Sequence, residues 1–397
     1  MNDHHWEAAR LAAHELGVSI AGTPETVSLH QVSGRFLAAD LETRYPLPHC
    51  ATSAMDGYAV NGPGPWQLLK PLATNPGAGD EQDIAVGEAA AVVTGSLIPQ
   101  GATSILRVEH SSLEGNVLST WRDLPCGADI RPAGIEAAEG ETLAVAGTLL
   151  RAGVIAAAAV SGHDELLVAA TPRVHLVFTG DEVITSGRPA PGQVRDGFSP
   201  VLPQVVAALG GGECTTTRIG DTLAATIAAL DSPAARAAQI IVTTGGTGFS
   251  DRDFVRAAAR ELDGEEVISS IAMRPGHPSM VSRLPGNRLL VALPGNPLAA
   301  LMALVTVLDP MLRGACGREL EQVHTAVSAT DFPALPGRTR LVPARWIAST
   351  NELDTLAPAE HVAPAMLRGL AAADAILVVG PEGTSKGAHV SYLGLPW

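Results

Sequence analysis

The first third of the chain combines one amphipathic segment with short apolar runs. Apolar residues in Trp6–Leu16 recur at helical spacing, which predicts a helix that packs by one face. Between Tyr45 and about Ile130, glycine and proline separate short runs such as Glu88–Thr94 and Ser104–Val108. Strands of this length, bounded by turn residues, predict a small and mostly β module.

From Thr171 onward, predicted strands alternate with predicted helices. The strands are the short apolar runs Arg173–Phe178, Gln239–Thr243, Glu266–Ile271 and Arg288–Leu293. The helices are Pro200–Leu209 with Ser199 as N-cap, Thr222–Leu230, a segment capped by Asp251 that ends near Leu262, and Pro297–Arg313. This alternation predicts a mostly parallel sheet with helices on both faces. Ligands of such αβα sheets bind beyond the carboxyl ends of the strands.

The pattern changes again after Gly317. Prolines interrupt β-like segments, and the last apolar runs are Ala375–Val379 and Val390–Leu393, which predicts a small β domain. The chain has 397 residues, of which 46% are hydrophobic, so its length allows two to four domains with sizeable cores. The sequence therefore predicts a multidomain α/β protein.

Charge and hydropathy argue against two classes of partner. There are 26 Lys and Arg against 41 Asp and Glu, a net charge of −15, whereas binding to nucleic acid requires a basic face. The N-terminus lacks the layout of a signal peptide. The longest apolar run, Leu298–Leu308, is shorter than the roughly 20 residues that span a bilayer. We predict a cytoplasmic protein with no nucleic-acid partner and no membrane insertion, which can still bind small anions.

The chain has four cysteines, which lie far apart in the sequence at Cys50, Cys126, Cys214 and Cys316. No CxxC pair and no histidine-rich segment accompany them. We interpret them as buried free thiols in a reducing compartment rather than as zinc ligands.

Two carboxylates follow the first predicted strand of the αβα sheet, at Asp181 and Glu182. Adjacent carboxylates at the end of a strand can hold Mg²⁺ together with a polar group of a substrate. One of them can equally serve only to cap the following turn. Their position alone leaves both interpretations open.

Three further segments near the same edge of the sheet suit anions. A glycine-rich turn lets the backbone approach a phosphate closely, although a tight strand–helix turn explains the same glycines, and no Walker ending is present. A second segment places two potentially cationic side chains around a rigid turn, and a third precedes a helix N-terminus. Together they predict a site for a pterin, a nucleotide or an oxyanion. Their residues are Gly245, Gly246, Thr247 and Gly248; Arg274, Gly276, His277 and Pro278; and Pro294, Gly295 and Asn296.

Asp56 lies in the turn Ser53–Ala59, after a proline-rich stretch. Its carboxylate can bond the local backbone of a tight turn. It can also be displayed on a lid that faces another domain, and the residues do not decide between these two interpretations.

These motifs occur in the order found in the MoeA and gephyrin E-domain family, the molybdopterin molybdenumtransferases, and the chain resembles this family over almost its whole length. Each motif alone is weakly specific, whereas the ordered set is strongly so. The matching segments are Ser53–Val60 (SAMDGYAV), Thr94–Ala102 (TGSLIPQGA) with Glu109 beyond it, Thr179–Val183 (TGDEV), the glycine turn with Asp253, Arg274–Pro278 (RPGHP) and Leu293–Pro297 (LPGNP).

The resemblance implies four domains in an elongated homodimer. An αβα domain with a mostly parallel sheet would bind molybdopterin, and a small β domain would act as its lid. An elongated linking domain and a C-terminal β domain would complete the chain. The expected boundaries are 1–48 and 131–171 for the linking and dimerisation domain, 49–130 for the lid, 172–317 for the αβα domain and 318–397 for the C-terminal domain.

The resemblance also implies an activity in molybdenum-cofactor biosynthesis. Molybdate would be inserted, with Mg²⁺, into adenylylated molybdopterin with release of AMP, in a cleft between the αβα domain of one subunit and the lid of the other. Carried over position by position, the catalytic residues are Asp56, Asp181, Glu182 and Asp253, of which Asp181 and Asp253 would bind the metal. The substrate-binding residues would be Thr94, Glu109, Asp196, Gly245, Gly246, Thr247, Gly248, Pro294, Gly295 and Asn296.

The oxyanion side of the implied site departs from the family pattern. Arg274 and His277 replace two lysines of a KPGKP motif, and an arginine of the C-terminal domain falls at Pro343 with Arg345 close by. The GGTG turn looks more like that of the MogA-type molybdopterin adenylyltransferases. The residues expected to bind molybdate are Arg274, Gly276, His277, Pro278 and Arg345. We expect weaker molybdate binding than is usual for the family, improving as His277 protonates toward about pH 6.

Two alternatives to the transferase stay open. A protein with this fold and a degenerate molybdate pocket can be a gephyrin-like scaffold that binds a partner protein's peptide at the dimer cleft. It can also bind or hydrolyse adenylylated molybdopterin without inserting metal. The carboxylates that persist in the sequence favour the enzyme.

Overall fold

A six-stranded sheet forms the centre of the computed structural model, which describes residues 3–70, 83–246, 254–347 and 354–397. Four neighbouring strands are parallel, so the predicted mostly parallel sheet is confirmed. In spatial order the strands are Cys214–Arg218, Val174–Phe178, Ile240–Thr244, Arg288–Leu293, Met280–Leu284 and Glu265–Ile268.

The last two strands of this sheet are antiparallel to their neighbours. Gly286 and Asn287 have φ angles of 79° and 58°, and this left-handed turn reverses the chain between Met280–Leu284 and Arg288–Leu293. The strand predicted at Glu266–Ile271 begins one residue earlier, ends at Ile268 and joins the edge of this hairpin. No helix separates these strands, so the strand–helix alternation stops here.

Helices cover both faces of the sheet, as the alternation predicts. Successive side chains of a strand point to opposite faces, and Ile240 and Val242 pack into one core while Ile241 packs into the other. The helices are Leu202–Ala208, Leu223–Leu230, Pro233–Ala237, Phe254–Glu261, Pro297–Ala303 and Asp309–Ala315, with a π-helical turn at Leu304–Leu308. The predicted N-cap Asp251 lies outside the described residues.

The continuous run Pro297–Ala315, here called the core helix, is longer than the apolar run seen in the sequence. By length and composition it could cross a membrane, but 94% of an 18-residue window of this helix is buried inside the fold. It packs between the sheet and the N-terminal helix Trp6–Ser19, which is the helix predicted at Trp6–Leu16. The core helix therefore owes its apolar character to burial in the αβα core.

Two glycines allow the N-terminal helix to lie directly on the core helix. A Cβ atom at Gly17 would be 2.0 Å from the Met311 carbonyl oxygen, and one at Gly314 would be 2.2 Å from the His14 carbonyl oxygen. The Trp6 indole N–H donates a hydrogen bond of 3.0 Å to the buried hydroxyl of Thr306. By its contacts, the N-terminal helix extends the αβα core.

Between the N-terminal helix and the αβα sheet, the chain forms two further regions, here called the linking region and the β module. The linking region has the helix Ala152–Val160 and the antiparallel ribbons Glu25–Ser28 with Glu165–Val168, Leu41–Glu42 with Thr142–Ala144, and Thr52–Ser53 with Ile130–Arg131. The predicted β module is confirmed as a six-stranded sheet, next to a 3₁₀ turn at Val108–His110. In spatial order its strands are Ser104–Arg107, Gly57–Val60, Glu88–Val92, Trp66–Leu68, Val117–Thr120 and Ser111–Glu114.

The C-terminal part forms a small closed β-barrel, in agreement with the predicted β domain. Its strands are His324–Ser328, Thr339–Ile347, Thr355–Pro358, Ala375–Val379 and His389–Gly394, with a short helix at Arg368–Ala371. The strand Met273–Arg274 of the αβα domain pairs in parallel with Thr339–Ile347. Leu341, Ile376 and Val378 face the αβα core, so the barrel is packed against the central domain.

The four cysteines are free thiols, but their burial differs. Cys316 is buried, and burial raises the pKa of its thiol to about 11. Cys126 is exposed, and Cys50 and Cys214 are half-buried, so the prediction of buried thiols is wrong for Cys126 and holds fully only for Cys316.

Candidate functional site

A cleft of about 770 Å³ opens at the carboxyl ends of the parallel strands. The turns after Phe178, Thr244 and Leu293 meet in its walls, as the parallel topology requires. Of the predicted site residues, those that line the cleft are Glu182, Asp196, Gly245, Gly246, Pro278, Pro294, Gly295 and Asn296. Thr247, Gly248 and Asp253 lie outside the described residues.

Glycine backbone forms part of the cleft surface. Gly245 has a φ of 91°, and a Cβ atom there would be 2.7 Å from the Thr179 hydroxyl oxygen, which itself donates to the Thr244 carbonyl at 2.6 Å. A Cβ atom on the facing Gly295 would be 3.6 Å from the Gly245 Cα. Side chains at these positions would fill the space between the two turns, so glycine keeps this wall open to a ligand.

Asp221 is a cleft residue that the sequence analysis missed. Its two carboxylate oxygens accept the backbone N–H groups of Gly180 and Asp181, at 3.0 and 3.1 Å. In return the Asp221 N–H donates to the Asp181 carboxylate at 3.3 Å. Gly220–Asp221 follows its strand as Gly180–Asp181 follows the neighbouring one, and this repeated Gly-Asp pair is the signal that could have revealed it.

The resemblance implies Mg²⁺. The described carboxylates suit a site in which the protein and the phosphates of a substrate bind the ion together. No group of three or more His, Cys, Asp or Glu side chains that could hold a metal occurs within residues 3–70, 83–246, 254–347 and 354–397. Asp181 and Asp221 each accept the other's backbone N–H with a carboxylate oxygen, and Asp221 lines the cleft whereas Asp181 does not. Mg²⁺ in phosphate-processing sites is commonly held by one or two carboxylates together with substrate phosphates, and these residues fit that mode.

Asp196 positions an arginine in the cleft. Its carboxylate is 3% exposed, forms an ion pair with Arg218, and accepts the Ser199 hydroxyl and the Phe198 N–H. Burial works against ionisation, but these hydrogen bonds and the guanidinium outweigh it and lower the pKa of Asp196. The Arg218 guanidinium lies 5.5 Å from the centre of the Phe178 ring and lines the cleft, although the sequence analysis did not select it.

Ser199 therefore has a different role from the predicted one. Its backbone N–H and hydroxyl both bond Asp196, and the helix that follows begins only at Leu202. The prediction of Ser199 as N-cap is wrong, because the side-chain hydroxyl is drawn toward the carboxylate instead of the first turn of the helix.

Four of the five residues expected to bind molybdate are absent from the described walls of the cleft. Pro278 lines it, while Arg274 is exposed on the strand that pairs with the barrel. The His277 imidazole Nε2 lies 3.0 Å from the Asp3 carboxylate. Gly276 is buried with a φ of 110°, and a Cβ atom there would be 2.3 Å from the Met273 methyl carbon, so this position requires glycine.

Asp3 belongs to an N-terminal segment that pairs with the chain around this turn. The N–H of His4 donates to the Ser270 carbonyl, and the His4 carbonyl accepts from Ala272. The Ser270 hydroxyl is the main group that lowers the pKa of Asp3; burial opposes the shift, and His277 adds to it. A carboxylate thus faces the imidazole that was expected to meet molybdate.

Arg345 lines a separate pocket on the barrel and is absent from the walls of the cleft. It lies two residues after Pro343 on the strand Thr339–Ile347, on the outer side of the barrel. The expectation that Arg345 joins Arg274 and His277 in one oxyanion pocket finds no support in these wall residues.

The predicted lid residues form a polar group of their own. The Asp56 carboxylate accepts the N–H and the hydroxyl of Thr94, at 2.7 and 2.9 Å, and these two bonds, the N–H first, lower its pKa. Glu109 lies 3.9 Å from Arg107. All three predicted residues are exposed, and none lines the cleft of its own chain.

Comparisons with known proteins cover the same regions. The MoeA N-terminal region (domain I and II) matches residues 5–162, the probable molybdopterin binding domain matches 175–314, and the MoeA C-terminal region (domain IV) matches 325–395. Molybdopterin molybdenumtransferase 2 of Mycobacterium tuberculosis is 33% identical over 309 residues, which cover 74% of this chain and 76% of the relative. The molybdopterin molybdenumtransferase of Bacillus subtilis is 27% identical over 407 residues, which cover 98% and 93%.

A solved structure agrees in fold over the whole length. The molybdopterin biosynthesis moeA protein from Pyrococcus horikoshii OT3 has a TM-score of 0.76 and 21% identity, covering 98% of this chain and 99% of that one. The fold and the matched domains define a transferase of molybdenum-cofactor biosynthesis. Within that class, the chain belongs to the MoeA, or molybdopterin molybdenumtransferase, family.

Proposed function

We propose that this protein inserts molybdate into adenylylated molybdopterin in a Mg²⁺-dependent reaction that releases AMP. The observation that carries the proposal is the cleft, which combines a glycine wall, a positioned arginine and carboxylates at one edge of the sheet. Its volume lies in the range of sites for small molecules and cofactors. An anionic pterin nucleotide needs this combination of space, positive charge and metal-binding oxygen.

Different residues of the cleft would bind different parts of the substrate. The glycine turns at Gly245 and Gly295 leave room for the planar part of the substrate, and Arg218, held by Asp196, offers N–H donors to its phosphates. Asp181 and Asp221 would hold Mg²⁺ beside those phosphates. When bound, Mg²⁺ would neutralise charge on the phosphate oxygens.

Glu182 is suited to act on water. Glu182 lines the cleft, and the proposal assigns the neighbouring Asp181 and Asp221 to Mg²⁺. A carboxylate in this position can orient a water molecule toward the phosphate and accept its proton. The water oxygen would bond to a phosphorus of the pyrophosphate link while the P–O–P bridge breaks, which releases AMP and molybdopterin.

A second copy of the chain would complete the site. Asp56 and Thr94 form an exposed unit that does not reach the cleft of their own chain. We place this unit against the cleft of a partner subunit, which makes the homodimer the active form.

The test compares Glu182→Gln with Glu139→Gln, a control that removes another exposed carboxylate, which does not line the cleft. With adenylylated molybdopterin, Mg²⁺ and molybdate, we expect Glu182→Gln to slow AMP release by about 100-fold or more, as for loss of a general base. Glu139→Gln should match the wild type. Equal rates for all three proteins would contradict the role of Glu182 and, with it, the proposed chemistry of the cleft.

The contact between His277 and Asp3 supports a second candidate function, hydrolysis of the adenylate without metal insertion. A carboxylate facing the imidazole repels a molybdate dianion, and Arg345 lies in another pocket. AMP release and molybdenum incorporation should be measured in the same reaction. AMP release without incorporation would select this second candidate.

Replacing Asp3 by asparagine tests the repulsion directly. Asp3→Asn removes the negative charge near His277, so we expect molybdate affinity, measured by equilibrium dialysis, to rise several-fold. Asp123→Asn, which removes an exposed carboxylate in the β module, is the matched control and should leave the affinity unchanged. Unchanged affinity in Asp3→Asn would show that His277 takes no part in molybdate binding.

A further inference from the structure

The pocket that contains Arg345 lies on the outside of the C-terminal barrel and has a volume of about 530 Å³. We call it the basic pocket, because three of its wall residues, Arg345, His361 and Arg368, carry or can acquire positive charge. It stands out in a chain with a net charge of −15. Of the predicted site residues that the structure describes, Arg345 alone lines it.

The two arginines of the basic pocket have no carboxylate partner among the described residues. Within the described part of the chain, neither Arg345 nor Arg368 forms an ion pair with a carboxylate, and the described polar contact of Arg368 is to the His361 ring at 3.3 Å. Glu360 is the acidic residue in the wall, but its side chain is 90% exposed and its carboxylate lies 3.9 Å from His361. Two guanidinium groups without a carboxylate partner in the described part of the chain suit an anion supplied from outside.

The backbone around the basic pocket adopts an uncommon conformation that depends on a glycine. His361 has a φ of 57°, a left-handed conformation that is uncommon for histidine. Gly369, at the start of the short helix, permits this turn, because a Cβ atom there would be 2.4 Å from the Glu360 carbonyl oxygen and 3.0 Å from that of His361. The side chains of His361 and Arg368 are thereby held on the same wall.

One strip of chain separates the basic pocket from the molybdopterin cleft. Ala365 and Leu367 line the cleft, whereas His361 and Arg368 line the basic pocket. The Pro364 carbonyl in this strip accepts the N–H of Ala299 in the core helix, at 3.2 Å. The two cavities are therefore neighbours with different walls.

The remaining walls are apolar and larger than an oxyanion needs. Trp346 and Ile347 are 39% and 45% exposed, and Pro358 and Ala357 lie on the adjacent strand. We propose that the basic pocket binds a phosphate monoester, with its phosphate on Arg345 and Arg368 and its organic group against these apolar residues. The site is separate from the proposed transferase site and does not depend on it.

The experiment titrates the full-length protein with phenyl phosphate and, separately, with inorganic phosphate, using calorimetry. We expect saturable binding of phenyl phosphate that is at least about tenfold tighter than that of inorganic phosphate, because only the monoester covers apolar surface. Equal affinities would overturn the monoester and point to a free oxyanion. Absence of saturable binding at millimolar concentration would overturn the site.

Variants of the two cavities test which of them binds phenyl phosphate. Arg345→Gln and Arg368→Gln should each weaken phenyl phosphate binding by about tenfold or more, while Arg151→Gln, an exposed arginine in the linking region, should not. Arg218→Gln changes the cleft and should leave this binding intact. Loss of binding in Arg218→Gln, with no loss in Arg345→Gln, would assign the ligand to the cleft and overturn the proposal. Both pocket arginines are exposed, and unchanged thermal unfolding would show that the variants keep the fold.

Discussion

Replacing Gly314 by alanine is expected to lower the free energy of unfolding of the αβα domain by about 3 kcal/mol. The added Cβ atom would lie 2.2 Å from the His14 carbonyl oxygen and 2.8 Å from the Val18 nitrogen. Both are backbone atoms of the N-terminal helix, so no side-chain rotation can relieve the overlap. The two helices must separate, and the Trp6 contact in the buried core would loosen with them.

The matched control is Gly153→Ala, in the helix Ala152–Val160. A Cβ atom at Gly153 would meet nothing within 4 Å, so alanine should be neutral or stabilise by up to about 1 kcal/mol through helix propensity. Thermal unfolding followed by circular dichroism compares the two variants with the wild type. Gly314→Ala unfolding at the wild-type temperature would contradict the close packing of the two helices.

The sequence predicts the interior of the αβα domain well because its strands are buried on both faces. Strands such as Arg288–Leu293 read as continuous apolar runs and appear at their predicted bounds, as does Ala375–Val379 in the barrel. The core helix was also predicted, with its N-terminus at Pro297. In these elements hydrophobic burial dominates, and it leaves a direct trace in the residue pattern.

Exposed edge strands lack an apolar run, so they are harder to predict from the sequence. Part of the candidate site depends on one such strand. Cys214–Arg218 is half-exposed and consists mainly of threonine, so it has no apolar run from which a strand could be predicted. Without that strand, Arg218 and Asp221 have no visible relation to the turn at Asp181. Both residues reach the cleft only because the edge strand pairs in parallel with Val174–Phe178.

Contacts between distant segments were beyond the sequence analysis for a similar reason. The pairing of Asp3 with His277 joins residues 274 positions apart, and it arises from the docking of the N-terminal helix on the core helix. Arg345 was predicted from its nearness to Pro343 along the chain, whereas the barrel places it in a different pocket. Motif order identifies a family, but only the fold decides which side chains share a cavity.

Asp196→Ala is expected to lower activity strongly, because Asp196 holds Arg218 in the cleft. The variant leaves the Phe198 and Ser199 N–H groups without their acceptor and releases the Arg218 guanidinium. We expect AMP release to fall by about 100-fold, mainly through a higher KM if Arg218 binds the substrate phosphates. Stability should fall by about 2 kcal/mol, because the lost carboxylate is almost fully buried.

Asp231→Ala is the control for this change. Asp231 also pairs with an arginine, Arg236, but the Arg236 side chain is 64% exposed and the Asp231 side chain 36%, so neither activity nor unfolding temperature should change measurably. Equal behaviour of Asp196→Ala and Asp231→Ala would mean that the Asp196–Arg218 pair does not position the cleft.

The stability difference between wild type and Asp196→Ala should also depend on pH in one direction. Hydrogen bonds and Arg218 hold the pKa of Asp196 below its usual value of 3.8. The unfolded chain therefore takes up the proton first as the pH falls, so the stabilisation from Asp196 is complete above about pH 3.8 and is lost as the pH drops through the lower, folded pKa. Unfolding temperatures of the two proteins, measured between pH 7 and pH 3, should differ by a constant amount at first and then converge in acid. A gap that stays constant down to pH 3 would mean that the charge of Asp196 contributes nothing, and that its hydrogen bonds alone hold the turn before the cleft.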